Sequence, residues 1–288
     1  MTTPLDLSGA NKRLCEALTT RYGPAEAASI ARIVLEDAFR AKTNPATTPL
    51  SDADTDLFFQ MLPRLEAGEP VQYVLGMADF FGYKFVVSSA VLIPRQETEE
   101  LVAHTLGFIK KSPHAKPRVL DIGLGSGCIG LTLKAKQPHI ELWGLEKSSA
   151  ALVVAQENAR RLGLQADVDL RQGDVFDAQT WISLPELDVI VSNPPYIPVR
   201  ERDLVPEHVL AHEPELALFV PDEDPLLFYQ AIADMARRKL RIGGVLLFEC
   251  NEFNAKEVLV LLQEKGFKHA CLQQDLSGAD RVVWGVRF

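Results

Sequence analysis

Cysteine is scarce. Four stand in 288 residues, Cys15, Cys128, Cys250 and Cys271, widely separated and with no CxxC pair. That spacing excludes a zinc ribbon and a disulfide framework, and reduced, mostly buried thiols are expected. Long apolar runs are missing too. None approaches the roughly 20 residues a membrane span requires. The opening MTTPLDLSGANKRL lacks a basic stretch followed by an apolar one, so no secretory signal is read there. A cytoplasmic protein without membrane contact is expected. An excess of positive charge is also absent: the net charge is −9, of which −4 lies in residues 1–80. Duplex nucleic acid is held largely by neutralising its phosphates, so it is not an expected partner. The acidic N-terminal part suits a basic protein surface better. The chain also lacks internal repeats and low-complexity segments. Its 47% hydrophobic content suits one large domain or two smaller ones.

Along the chain, residues 1–75 read as a small helical bundle. Pro24 suits a first helical turn, and Ala27, Ile30, Ala31, Val34 and Ala38 then share one face. Leu57, Phe58, Met61, Leu62 and Leu65 form another apolar stripe, ended by Gly68 and Pro70. Residues 71–93 turn aromatic and β-branched, which predicts one or more β-hairpins, with 76–94 as a linker. From residue 95 onward helices and strands alternate. Strands are predicted at Arg118–Ile122, Glu141–Leu145, Val168–Arg171, Leu187–Val191 and Val245–Glu249, with two more near 269–275 and 281–287. Residues 241–244 read as a turn. The pattern predicts a doubly wound, seven-stranded, mainly parallel α/β sheet over 95–288, with a terminal antiparallel hairpin.

Two loops in this region carry chemistry. Asp121-Ile122-Gly123-Leu124-Gly125-Ser126-Gly127 joins the first sheet strand to its helix. Glycines there allow a sharp turn and close ligand approach. Gly125 to Gly130 formally matches the dinucleotide fingerprint GxGxxG. Asp121, however, suits a cationic ligand and would sit badly beside a pyrophosphate. Glu146 ends the next strand, where an acid accepts ribose hydroxyls of either kind of cofactor. Asp174 and Val175 follow the third strand. Asp174 suits an adenine amino group and Val175 or Phe176 its ring, although Asp174 also reads as a turn or helix cap.

The second loop is Ser192-Asn193-Pro194-Pro195-Tyr196-Ile197-Pro198, after the fourth strand. Ligands bind beyond the carboxyl ends of parallel strands, so it belongs at the same rim as the glycine loop. The Asn193 side-chain carbonyl and the Pro194 backbone carbonyl can accept both hydrogens of a planar NH2 group. Pro195 stiffens the loop and Tyr196 offers a flat face. Such a site holds a weakly nucleophilic nitrogen in line with an electrophile such as a sulfonium methyl. Its acceptors stabilise the positive charge that grows on that nitrogen.

These residues resemble the HemK family of release-factor glutamine N5-methyltransferases, among the class I S-adenosylmethionine-dependent methyltransferases with a Rossmann-like sheet. The resemblance covers nearly the whole chain. It includes Gln72–Gly76, Phe81–Phe85, Leu92-Ile93-Pro94-Arg95 followed by Glu97-Thr98-Glu99, the glycine loop, SNPPYIP, His212-Glu213-Pro214 and Asp275–Val283. The LIPR segment together with NPPY separates this family from adenine methyltransferases that share NPPY.

The resemblance implies methylation of the side-chain amide of the glutamine in the Gly-Gly-Gln motif of peptide-chain release factors. S-adenosylmethionine is the implied cofactor and S-adenosylhomocysteine the product. Asn193, Pro194 and Tyr196 are the implied catalytic residues, and with Pro195 they bind the glutamine. The methyl donor is held by Asp121, Gly123, Leu124, Gly125, Ser126, Gly127, Glu146, Asp174, Val175 and Asn193, with Arg95 and Glu97 closing the site. The N-terminal domain helps to grip the release factor, and a monomer is expected. Four positions depart from the family's usual residues: Leu124, Gln96, Glu146 and His212.

Other candidates rank lower. His208 and His212 are four apart, but Pro206 and Pro214 bracket them and no third ligand is evident, so no metal is expected. Cys128 lacks a histidine partner in sequence and reads as a small helix-start residue. Trp143, Trp181 and Trp284 read as packing residues, and Asp280-Arg281 as a surface pair or brace. Four alternatives remain: glutamine methylation of ribosomal protein L3, N6-adenine methylation, NAD-dependent oxidoreduction, which gives NPPY no task, and a non-catalytic release-factor or RNA-binding module, which needs no intact donor site.

Overall fold

A computed structural model describes residues 5–288. Residues 1–4, the start of the expected helical domain, lie outside the described residues. The chain forms two compact units. One runs up to Met77 and includes Glu207–His212, and the other comprises Ala78–Pro206 and Glu213–Phe288.

The first unit is helical. Helix α1 (Leu7–Phe39) opens on Asp6, whose side chain accepts from the Gly9 N–H at 2.7 Å. It kinks at Gly23 (φ 74°, ψ 164°), and Pro24 restarts it. Helix α2 (Asp52–Glu66) is capped by Ser51. Leu14, Leu18, Val34, Phe58 and Leu65 fill the interface. The expectation of strand from residue 71 fails, because Val71–Leu75 is a short helix, α3. Pro70 starts it and Gly76 stops it in the left-handed region at φ 69°. The Arg64 guanidinium grips Glu69 and donates to the Tyr73 and Val74 carbonyls. Local terminators and a side-chain cap thus outweigh β-propensity.

The second unit carries the sheet. A hairpin of β1 (Met77–Phe80) and β2 (Tyr83–Val86) precedes it. This hairpin is more than a link, since Phe80 and Phe85 are buried in the main core. The sheet strands are β3 (Arg118–Ile122), β4 (Glu141–Glu146), β5 (Val168–Gln172), β6 (Leu187–Ser192), β9 (Leu240–Glu249), β10 (Lys268–Gln274) and β11 (Asp280–Val286). Between β6 and β9, β7 (Ile197–Pro198) and β8 (Phe219–Val220) form a separate short ladder. The sheet order is β10-β11-β9-β6-β3-β4-β5, with only the β11 pairings antiparallel. The doubly wound, seven-stranded fold is as predicted. One boundary differs: residues 241–244 belong to β9, with a register irregularity where Leu187 and Val189 meet it and Gly243 at φ 83°. A bulge next to Gly243-Gly244 looks like a turn in sequence.

Helices α4 (Thr98–Lys111), α5 (Cys128–Lys136) and α6 (Ser149–Arg161) cover one face. The other is covered by α7 (Ala178–Trp181), α9 (Leu227–Lys239) and α10 (Ala255–Glu264), α8 being the Glu207–His212 turn of the first unit. Strand alternation feeds both cores. Leu120, Ile122, Ile190, Leu246 and Phe248 face one side, and Val119, Val189, Val191, Val245 and Leu247 the other. Register aligns the strand ends: Ile122 pairs with Leu145 and Ser192, Glu146 with Gln172, and Ser192 with Phe248. The residues just beyond them share one rim.

Candidate active site

A cavity of about 290 Å³ opens at that rim, within the second unit. Its walls include Gly123–Ser126, Glu146, Asp174, Val175, Arg95, Thr98 and Asn193–Pro195. The glycine loop is shaped by three left-handed residues, Gly123 (φ 73°), Gly125 (φ 55°) and Gly127 (φ 81°). A side chain at any of the three would be strained. The Gly123 N–H donates to the Leu145 carbonyl at 2.9 Å, and the Gly125 N–H to Glu146 Oε2 at 2.8 Å. The other Glu146 oxygen accepts from the Ser148 N–H at 2.8 Å. This buried carboxylate is therefore fixed by backbone, and each oxygen keeps a lone pair for a further donor. The Leu124 side chain turns away from solvent and packs on Gly144, where a Cβ would come within 2.9 Å of it. Its departure from a polar residue thus costs the loop none of its backbone groups.

Several predicted residues stand back from the cavity. Asp121 is fully buried beneath the loop, with Oδ2 accepting from the Gly130 N–H at 2.8 Å and Oδ1 without a partner. Burial pushes its pKa up to about 7, opposed by that hydrogen bond and reinforced by Glu146. Asp121, expected to contact the donor, does not line the cavity: α5 lies against its carboxylate. Gly127 is also off the wall, because it turns the chain down into α5, where a Cβ would meet Leu131 at 2.8 Å. Glu97 is exposed, just ahead of α4, and does not close the cavity. Arg95 does line the cavity, held at 2.5 Å by the buried Glu213, which also accepts from the Ile93 N–H. Tyr196 packs partly buried against the sheet core, and burial raises its phenol to about 12. It stays protonated and braces the loop from behind. Asp174 lines the cavity and makes the turn as well, accepting from the Phe176 N–H at 3.0 Å and pairing with Lys147 at 2.9 Å.

Asn193 and Pro194 sit where β6 ends, facing the glycine loop across the cavity. Asn193 Nδ2 donates to Thr98 Oγ1 at 3.4 Å. Behind them lies Glu249, at the end of β9 and buried. Sequence reasoning gave no part to Glu249, Thr98 or Glu213. One signal was legible: β9 ends in an acid, as β4 does, inside an otherwise apolar run.

The cavity's charge suits a cation. Arg95 and Lys147, its two basic wall residues, are committed to Glu213 and Asp174. The buried Asp121 and Glu146 lie under the loop without a basic partner of their own. A pyrophosphate finds no free cation here, whereas a sulfonium nucleoside meets the Glu146 and Asp174 carboxylates and an apolar wall. The residues present fit S-adenosylmethionine.

Comparison with known proteins agrees. Residues 12–76 match the PrmC N-terminal domain and residues 101–214 the methyltransferase small domain. A release factor glutamine methyltransferase of Bacteroides thetaiotaomicron is 42% identical over 78% of this chain and 78% of its own length. The Flavobacterium psychrophilum protein of the same name is 37% identical over 93% of this chain and 94% of its own. The chain belongs to the release factor glutamine methyltransferase family. Solved methyltransferases share the fold at low identity. One from Pyrococcus furiosus has a TM-score of 0.51 at 14% identity, covering 79% of this chain and 98% of that one. A T. thermophilus 16S rRNA methyltransferase solved with AdoMet and guanosine has a TM-score of 0.51 at 18% identity, covering 74% and 50%. For this family a seven-stranded class I sheet with an N-terminal helical region is the fold, and methyl transfer is the chemistry.

Proposed function

We propose that this protein transfers a methyl group from S-adenosylmethionine to the side-chain amide nitrogen of the glutamine in the Gly-Gly-Gln motif of peptide-chain release factors. One observation carries the proposal: Asn193 and Pro194 line the same cavity as the glycine loop and Glu146, in a chain of this family. Glu146 holds the ribose hydroxyls, Asp174 and Val175 the adenine, and the backbone of Gly123–Gly125 the amino-acid part. When bound, the donor supplies an electrophilic methyl on a sulfonium.

The chain's residues then do the following. Asn193 Oδ1 and the Pro194 carbonyl each accept one N–H of the substrate amide and hold its nitrogen in line with the methyl. The same two acceptors stabilise the charge that develops on nitrogen. Pro195 keeps the loop rigid and Tyr196 braces it. Arg95, tied to Glu213, keeps water from one side. No strong base is required, because the product nitrogen loses its proton readily. The helical first unit is assigned to gripping the release factor.

Incubating the protein with purified release factor and labelled donor, followed by peptide mass mapping, tests this. One methyl on the Gly-Gly-Gln glutamine is expected. Modification of ribosomal protein L3 in its place overturns the substrate and leaves the chemistry. No labelling of either protein overturns the proposal.

A further inference from the structure

A side-chain amide has two ends of nearly equal size and opposite polarity. If Asn193 is to accept from a substrate NH2, its oxygen must face the cavity. Turned by 180°, it would set NH2 against NH2 and repel the group it should hold. The sequence motif does not decide between these orientations, but the groups behind Asn193 do.

We infer that Glu249 is a positioning residue: with the Thr98 hydroxyl it takes both N–H bonds of the Asn193 amide and so leaves Asn193 Oδ1 as the atom presented to the substrate. This inference rests on the proposed glutamine methylation and deepens it. Three observations carry it. First, β6 and β9 run parallel with Ser192 opposite Phe248, so Asn193 and Glu249 are neighbours one step beyond the paired row. Second, alternation from Val245 and Leu247 sends the Glu249 side chain to the α4 face, where Thr98 begins α4. Thr98 is buried there and accepts from Asn193 Nδ2 at 3.4 Å. Third, the Thr98 and Asn193 side chains both stand close enough to the buried Glu249 carboxylate to favour its charged form. An ionised carboxylate only accepts, so the Asn193 group facing it must be the NH2. A charge-assisted bond of this kind disfavours the turned amide by roughly ten- to hundredfold.

The surroundings keep Glu249 poised. It is 2% exposed, and its Oε2 has no partner. Arg281 on β11 lies near enough to favour its charged form. That guanidinium is nonetheless committed to Asp275 at 3.1 Å and to the Cys250 carbonyl at 3.2 Å. Glu97, ahead of α4, repels the carboxylate. Tyr196, Cys128 and Cys250 also feel its charge, and the Tyr229 hydroxyl of α9 donates to its backbone carbonyl at 3.1 Å. Burial outweighs the favourable partners and pushes Glu249 up to about 7. As pH falls through that value the acid gains an O–H donor, and Asn193 is free to turn its oxygen towards it. Activity therefore declines on the acid side of neutrality.

Two measurements test this on the full-length protein. In the first, the Asn193 side-chain NH2 signal, assigned by its loss in Asn193→Ala, is followed by NMR from pH 5.5 to 8.5. It should shift with a midpoint near 7 in the wild type and stay flat in the isosteric Glu249→Gln. A flat wild-type signal, or an unchanged titration in Glu249→Gln, overturns the inference whether or not a release factor is the substrate. In the second, methyl transfer to release factor is measured against pH. Glu249→Gln keeps one acceptor oxygen, so kcat should fall roughly tenfold and the acid limb should vanish, while Glu249→Leu should lose roughly a hundredfold or more. S-adenosylhomocysteine affinity should stay within about twofold in both. Equal kcat in wild type and Glu249→Gln overturns the positioning role, whereas a wild type that methylates no release factor overturns the function and leaves the NMR result to judge Glu249. If Glu249→Leu does not fold, Glu249→Gln decides.

Discussion

At the scale of single residues, three positions separate chemistry from stability. Asn193 lines the cavity opposite the glycine loop and is proposed to hold the substrate amide, so its loss should spare the donor. Asn193→Ala is expected to bind S-adenosylhomocysteine within a few-fold of wild type by calorimetry while methyl transfer falls about 10²–10³-fold, the usual cost of one lost transition-state hydrogen bond. Asp121 acts on stability. Its pKa rises from an ordinary 3.8 to about 7 because it is buried. The folded protein thus keeps a proton that the unfolded chain releases, and the contribution to stability is fullest below about pH 4 and lost as pH rises to about 7. Denaturant unfolding should show wild type losing on the order of 2 kcal/mol relative to Asp121→Asn between pH 5 and pH 8. Gly130 is the third. A Cβ there would stand 2.9 Å from Asp121 Oδ2 and 3.1 Å from its Cβ. Gly130→Ala should therefore cost about 1–3 kcal/mol in the same experiment, because neither buried group can move aside. The sequence marked Asp121 and Asn193 by their neighbours, whereas Gly130 looked like part of a nucleotide fingerprint. Its reason is the carboxylate pressed against it.

At the scale of elements, the glycine loop is held in place from outside. Asn158 on α6 is buried and accepts from the Val86 N–H at 2.6 Å. It donates to the Val86 carbonyl and to the Ser126 carbonyl, both at 2.9 Å. One amide thus joins a helix, the β1–β2 hairpin and the loop. Asn158→Ala removes the partner of one buried and two part-buried backbone groups. It should cost about 2–4 kcal/mol in denaturant unfolding and weaken S-adenosylhomocysteine binding through the loosened loop. That part was not legible, because Val86 is 72 residues away from Asn158. The strand ends were legible, since apolar runs stop at Ile122, Glu146 and Ser192 in plain view. The segment 71–75 misled for a physical reason: β-branched residues express a weak preference that Pro70, Gly76 and the Arg64 cap override.

At the scale of the whole molecule, ligand binding should register in the melting transition. A ligand that binds only the folded state at about 100 times its Kd adds about 2.7 kcal/mol. For a unit of this size that raises Tm by roughly 5–10 °C. S-adenosylhomocysteine is expected to produce that shift and NAD none, as read by calorimetric scanning, because both basic wall residues are already paired. An equal shift with NAD would return the oxidoreductase alternative to contention. No helix among the described residues is long and apolar enough to cross a membrane, in keeping with the short apolar runs of the sequence.

By itself the sequence determined the alternation of strand and helix, the seven strands, the glycine loop, and an Asn-Pro-Pro-Tyr exit after a buried strand. These are local properties, set by hydrophobic period, by glycine's backbone freedom and by proline's stiffness. Tertiary structure decided which carboxylates meet the cavity and which lie behind it. Asp121 lies behind the cavity wall because α5 closes over it, and Glu97 stands outside the wall, exposed ahead of a helix. Glu249 entered because parallel register sets the end of β9 beside the end of β6. Neighbours across strands are fixed by pairing between segments 56 residues apart. No spacing within the motif records that pairing, and the direction in which Asn193 presents its oxygen depends on it.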